Sequence, residues 1–398
     1  MHFSKLLNRV FEPTSTGLDK RVHRTLLLAS KTLCECRHLS IAGLGRHLSS
    51  KVAVKHVIKR MDRLFGNKRL HDQRRQPYQV MVRWLVGRTP RPVILVDWSG
   101  LTRCGEYHFL RASIPVGGRA LVLWESTYPE KMYSSRQAHR EFVETLKTLL
   151  PERCRPIIVT DAGFRNPWFR LIKDQGWDFV GRVRNSTYCR AGEGHEWVAA
   201  KSLYTKATRT ARYLFTGLLA RSNSIEGHFY LYQGQVKNRK HKNLRGKKIQ
   251  SSVSLKHAKA GREPWLLLSS LPIEQYTAKQ IVSFYRTRMQ IEEAFRDLKN
   301  TRNGFSLRHC RSFSQERLNI ALLISAIAMF ALWIVGQIAK TIGDSRLYQA
   351  NTISHRAVLS TFTIGWQSLR RRQQYTNAQF RDAMAQIQMR AATAGSVE

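Results

Sequence analysis

At 398 residues, 42% of them hydrophobic, the chain can bury a sizeable core in two or three domains. Lys and Arg outnumber Asp and Glu 67 to 27, a formal charge of +40, and self-repulsion on that scale calls for a polyanionic partner, with nucleic acid well ahead of an anionic membrane. The 10% aromatic content argues against a disordered basic tail, and a paired-carboxylate glycosidase fits such a charge poorly.

Residues 1–85 read as helical. An apolar patch spans Thr25 to Leu33, Ser40 caps a short helix through Leu48, and Ser49-Ser50 turns the chain into a second helix ending near Phe65. Val54, Val57, Ile58, Met61, Leu64 and Phe65 give that second helix an apolar stripe at helical spacing. Lys55, His56, Lys59, Arg60 and Arg63 occupy much of what remains. This is either a helix-turn-helix-like DNA reader or a small bundle with a solvated basic face; the overall charge favours DNA contact.

An α/β region follows. Pro92–Asp97 and Pro156–Asp161 share one design, a Pro, four apolar or β-branched residues and an Asp, as expected of central strands buried on both faces. Two further strands, near 107–115 and 119–127, and a helix near 135–150 separate them. A crossover through that helix predicts parallel strands with Asp97 and Asp161 side by side at the C-terminal sheet edge. An Asp ending a strand is commonly only a turn residue. Two held close repel, and a divalent cation satisfies both.

Residues 185–264 are expected to form a β-rich insertion, with strands at Tyr213–Leu218 and His228–Gln233. A basic loop at 235–250 holds seven Lys or Arg and no acid, and either tracks phosphates or is simply solvated. Trp265–Ser270 reads as a strand leading into one helix, Tyr276–Asn300. Thr277 and Gln280 form its capping box, Tyr276 and Ile281 a hydrophobic staple, and Asn300 with Asn303-Gly304 its stop. Tyr285, Arg288, Glu292 and Lys299, with Arg296, share one face of that rod; Phe284, Ile291, Phe295 and Leu298 form the apolar arc beside it. The charged face is equally the pattern of an ordinary solvent-exposed salt-bridge ladder. With Asp97 and Asp161, Glu292 would complete an all-oxygen set suited to Mg²⁺, and no His/Cys cluster suggests zinc.

Leu318–Ala339 runs 22 residues without a charge, about the length a bilayer needs. Asn319, Ser325 and Gln337 interrupt it, and it is read as a central buried helix, with no membrane partner. Beyond it the chain stays helical, with a basic run at Arg370-Arg371-Arg372. Cysteines 34, 36, 104, 154, 189 and 310 form no CxxC pair, which suggests free thiols in a reducing compartment, and the N-terminus shows no apolar secretory core.

Asp97, Asp161 and Glu292, together with Tyr285-x2-Arg288-x3-Glu292-x6-Lys299, resemble the DDE triad and YREK signature of bacterial transposases of the insertion-sequence-4 family. The resemblance extends through VILVDWS, IIVTDAGF, EPWLLLSSLP and RMQIEEAFRDLK and loosely covers the whole chain. It implies an α/β, RNase H-like catalytic core with a β-rich insertion, flanked by helical N-terminal and C-terminal domains. The implied layout is an end-binding domain at 1–85, core at 86–184 and 265–310, insertion at 185–264, and a C-terminal domain at 311–398 for DNA contact or dimerisation. It further implies two Mg²⁺ ions, with Mn²⁺ able to substitute, held by Asp97, Asp161 and Glu292. The partners implied are double-stranded DNA, as transposon ends and target, and a second copy of the chain in a synaptic homodimer, at the nucleoid of a bacterial cytoplasm. Excision would proceed through nicking, hairpin formation and hairpin opening before 3′-hydroxyl joining. Tyr285, Arg288 and Lys299 would grip phosphates, Trp265 would stack on an extruded base, and Met289 would wedge it out. A nuclease of the same fold without strand transfer, or an inactive DNA-binding regulator, is the alternative.

Overall fold

The structure, a computed structural model, describes residues 1–12, 17–101, 105–184, 187–234, 263–310, 314–353 and 355–395. The basic loop expected at 235–250 and Cys104 lie outside the described residues. The chain divides into two compact units, the first made of Met1–Pro156 and Thr287–Ala394, the second of Ile157–Arg286 and the C-terminal end.

The first unit opens with helices α1 (Phe3–Phe11), α2 (Lys20–Cys36), α3 (Ile41–His47), α4 (Val54–Phe65), α5 (Lys68–Gln73) and α6 (Arg75–Val86). The starts of α2 and α3 have a local cause. Asp19 accepts from the Arg21 and Val22 amides at 2.9 and 3.1 Å, and Ser40 from the Gly43 amide at 3.0 Å, satisfying donors that have no partner within the helix. Gly45 lets α3 lie against α4, since a Cβ there would stand 2.6 Å from Ile58 Cγ1. The expected stripe on α4 is narrower than its spacing predicts: Val57, Met61, Leu64 and Phe65 are buried, Ile58 is half-buried and Val54 is 50% exposed. With 7 residues α3 reaches about 10 Å, whereas the 12 of α4 reach about 18 Å, so α3 is too short to cover the whole length of α4. Lys55, Lys59, Arg60 and Arg63 are exposed along α4, and Arg60 donates to Thr25 Oγ1 at 3.0 Å.

Strands β1 (Val93–Gly100), β2 (Tyr107–Pro115) and β3 (Ala120–Pro129) form an antiparallel meander, covered in part by α7 (Arg136–Leu149). Asp97 does not end its strand. The ladder with β2 continues past it to Gly100, which places Asp97 opposite Arg111 in the middle of β1. Across the β2–β3 pair, Arg111 and Glu125 form a buried ion pair at 2.6 Å, and the Tyr78 hydroxyl donates to Glu125 at 3.2 Å. Burial drives the Tyr78 phenol well above its ordinary range, with the Glu125 charge adding to the effect.

In the second unit, β4 (Ile157–Thr160), α8 (Asn166–Asp174), β5 (Asp178–Val183), β6 (Tyr188–Arg190), β7 (Val198–Ala199), β8 (Arg212–Leu219), β9 (Ile225–Tyr232), β10 (Trp265–Ser269) and α9 (Ala278–Arg286) follow in turn. Its strands run β4-β5-β10-β9-β8-β6-β7 across the sheet, with β4 and β5 parallel and the other pairs antiparallel. Gly181 on β5 leaves room for the Phe169 ring, which a Cβ would approach to 2.3 Å.

The first unit then resumes with α10 (Met289–Lys299), α11 (Gln315–Thr341), α12 (Thr361–Arg370) and α13 (Asn377–Ala392). α11 is long and apolar enough to cross a membrane by length and composition, yet its apolar stretch is wholly buried within this unit, against α2, β3, α12 and α13. The polar residues that interrupt it have protein partners. Asn319 accepts from the Thr127 amide at 2.9 Å while Gln315 donates to the Thr127 carbonyl at 2.7 Å, so both backbone groups of that β3 residue are satisfied. Gln337 accepts from Arg390 at 3.1 Å.

Candidate active site

In the first unit the site is built where α10 lies on the β1–β3 sheet. Ile291 and Leu298 are buried and Phe295 meets Phe109 edge to face at 5.3 Å, which presses the apolar side of α10 onto the strands. Two polar ties fix its rotation. Arg119 Nε donates to Asp297 at 2.6 Å, and Gln290 accepts from the Gly117 amide at 3.1 Å. Burial pushes the Asp297 carboxyl up, and the Arg119 hydrogen bond opposes that shift.

Asp97 and Ser99, two residues apart on β1, project to the same side of the sheet; Arg288, the residue just before α10, engages the first and Lys299 of α10 the second. The Arg288 guanidinium lies 3.6 Å from Asp97 Oδ2 and 2.7 Å from Glu292 Oε1, so one cation spans two carboxylates that are remote in sequence. Asp97 Oδ1 also accepts from the Trp98 amide at 2.9 Å. Lys299 donates to Ser99 Oγ at 2.7 Å and lies 5.8 Å from the ring centroids of Phe109 and Phe295. The Arg288 and Asp97 side chains are 13% and 14% exposed and Glu292 is 40% exposed, so the group opens to solvent on its Glu292 side.

Sequence periodicity expects one helix over Tyr276–Asn300; the structure has two. α9 stops at Arg286 and α10 starts at Met289, with Gln290 and Ile291 donating to the carbonyls three residues back, Thr287 and Arg288, at 2.9 and 3.2 Å. That tightening interrupts the i→i−4 ladder while keeping the helical spacing of side chains nearly intact. The capping box does form: Thr277 and Gln280 exchange backbone-to-side-chain bonds at 2.9 and 3.3 Å. Arg296, one turn beyond Glu292, is 64% exposed and pairs with Glu293 at 2.7 Å.

Tyr285 belongs to the second unit, where it is buried and meets the half-buried Trp265 edge to face at 4.9 Å; Tyr232 flanks Trp265 on β9 at 5.7 Å. Asp161 also belongs to that unit, immediately after β4, and its Oδ1 accepts from the Gly163 amide at 2.8 Å in the turn leading to α8. Met289, the first residue of α10, is 39% exposed. Among the described residues, no group of three or more His, Cys, Asp or Glu is gathered so as to hold a metal ion. Asp97 and Glu292 nevertheless fit a hard divalent cation in kind: both are oxygen donors, and the Arg288 guanidinium already stands as a cation shared between them.

Ser99 and the Arg119–Asp297 pair are missing from the sequence expectation. Ser99 was within reach of it, since alternation from Asp97 puts its side chain on the same face. Arg119 carries no local signal, because its partner lies 178 residues away.

A family model described as Transposase DDE domain matches residues 88–330. The match spans β1, β4 and α10 and therefore Asp97, Asp161 and Glu292. No curated protein matches the chain.

Proposed function

Because the chain belongs to the transposase DDE-domain family, we propose that it is a cut-and-paste DNA transposase of the insertion-sequence-4 family, allied to the transposase of insertion sequence 10. It would act through an RNase H-like core on transposon ends and target DNA. The observation that carries this reading is the Arg288 guanidinium shared by Asp97 and Glu292: it supports a function for two carboxylates drawn together from β1 and α10 beside Lys299.

In this proposal Asp97, Asp161 and Glu292 hold Mg²⁺, or Mn²⁺ in its place. Bound there, a pair of divalent ions supplies an activated oxygen nucleophile and charge for the leaving oxygen. The protein's own work is positioning. Lys299, anchored on Ser99, presents its ammonium toward a backbone phosphate, and Arg288 exchanges a carboxylate for a phosphate oxygen as DNA enters. Water breaks one phosphodiester and leaves a 3′-hydroxyl. That hydroxyl attacks the opposite strand to close a hairpin, exchanging one phosphodiester for another. A second water reopens the hairpin, and the same 3′-hydroxyl then joins target DNA. A tight hairpin needs a base out of the stack, at a cost of about a few kcal/mol. Trp265, steadied by Tyr285, receives that base, and Met289 pushes it out. Residues 1–85 bind the transposon end through Lys55, Lys59, Arg60 and Arg63. Residues 185–264 form the insertion, and residues 311–398 make DNA or dimer contacts in a synaptic homodimer.

Incubation with end-containing DNA, target plasmid and Mg²⁺ tests the reading. Hairpin-ended fragments and joined product are expected from the wild type. Asp97→Ala, Asp161→Ala and Glu292→Ala should each abolish cleavage and keep DNA binding. Full cleavage by any of the three would remove that residue from the catalytic set, and cleavage without joining would leave a nuclease.

A further inference from the structure

The second unit holds a cavity of about 320 Å³ lined chiefly by Arg209, Thr210, Tyr232, Lys279, Ser283 and Arg286. We propose that this cavity binds a backbone phosphate of a single nucleic-acid strand, as a subsite separate from the Arg288–Lys299 face of α10. The assignment rests on the reading of the protein as DNA-acting.

Three features of the lining point to a phosphate. It brings three cations and three hydroxyls together, and among the described residues no carboxylate lines it. One cation is held in place: Arg286 donates to the Tyr232 hydroxyl at 3.1 Å, and its guanidinium lies 5.7 Å from the Tyr232 ring centroid. A guanidinium fixed from one side keeps its remaining donors aimed at an incoming oxyanion. Size agrees as well, because about 320 Å³ leaves room for a phosphate with its sugar.

A strand, in preference to a free nucleotide, is indicated by what adjoins the cavity. Tyr232 contributes both to its wall and to the aromatic row that continues through Trp265, 5.7 Å away, to Tyr285, 4.9 Å further on. A cationic pocket next to an aromatic row is the pairing by which proteins hold unpaired strands, phosphate in one and base on the other. Arg209 and Lys279 are exposed at the cavity, so a strand can pass across without threading.

The test uses the full chain with EDTA present, so that no cleavage intervenes, and a labelled single-stranded oligonucleotide followed by fluorescence anisotropy over a salt series. Arg209→Gln with Lys279→Gln should weaken binding several-fold and flatten the log K against log salt slope by about 0.7 for each phosphate no longer neutralised. Each single variant should give part of that change, and circular dichroism checks the fold of all three. Unchanged affinity and slope in folded variants would overturn the subsite. In a second arm, deoxyadenosine monophosphate is added to the wild type. A rise in melting temperature that the variants lose, alongside an unchanged oligonucleotide slope, would also overturn the strand assignment in favour of a free nucleotide. Because no cleavage is measured, a flattened slope supports the subsite even in a protein that fails to transpose, and an unchanged slope in an active transposase removes the subsite alone.

Discussion

Arg288 shows how much of this site rests on single side chains. Its planar fork reaches Asp97 and Glu292 together, a geometry that the point charge of a lysine does not reproduce. On the opposite side of β1, the Trp98 indole donates to His139 Nε2 at 3.1 Å, a bond that requires this nitrogen to be unprotonated. Burial pushes the His139 imidazole down to about 4 from an ordinary 6.5. Between those values the unfolded chain binds a proton that the folded chain refuses, so stability rises with pH across the window. The His139 contribution is fully present above about pH 6.5 and is lost as pH falls toward 4, a change of roughly 3 kcal/mol at most. Urea denaturation at pH 4.5 and pH 7 should therefore show a stability difference that shrinks in His139→Gln, and an equal difference in the variant would assign the effect to other groups.

Elements meet through glycine where backbones touch. A Cβ on Gly336 of α11 would stand 2.0 Å from the Thr361 carbonyl oxygen, and one on Gly365 of α12 would stand 1.9 Å from that of Leu332. Neither contact ends on a flexible side chain, so the helices themselves would have to part. Gly336→Ala and Gly365→Ala should each cost about 1–3 kcal/mol by overpacking, read as a lower denaturant midpoint with an unchanged slope. The interface was not legible in the sequence, since two glycines 29 residues apart carry no mark of facing each other. The interruption between α9 and α10 was hidden for a related reason. A single tightened turn at 287–288 barely disturbs the apolar spacing that announces a helix, so Phe284, Ile291, Phe295 and Leu298 are buried as periodicity expects while the rod itself is divided.

For the whole molecule the governing quantity is the charge of +40. DNA binding should be steeply salt-dependent: with about 6–10 phosphates neutralised, affinity falls roughly 10³–10⁵-fold between 50 and 200 mM salt. A filter-binding or anisotropy series over that range checks it, and a flat dependence would mean that the charge serves something other than phosphate contact. The amino-acid sequence by itself determined what depends on near neighbours: apolar runs for β1 and β4, the Thr277–Gln280 cap, the Ser40 cap and the buried character of α11. Only the tertiary structure decided that Asp97 sits inside its strand, that Arg288 joins it to Glu292, that Lys299 reaches Ser99, and that Arg119 holds Asp297. Short-range order is encoded by a few adjacent residues and their spacing. Contacts across nearly two hundred residues exist only once packing has brought the segments together, and no local pattern records which partner will be found.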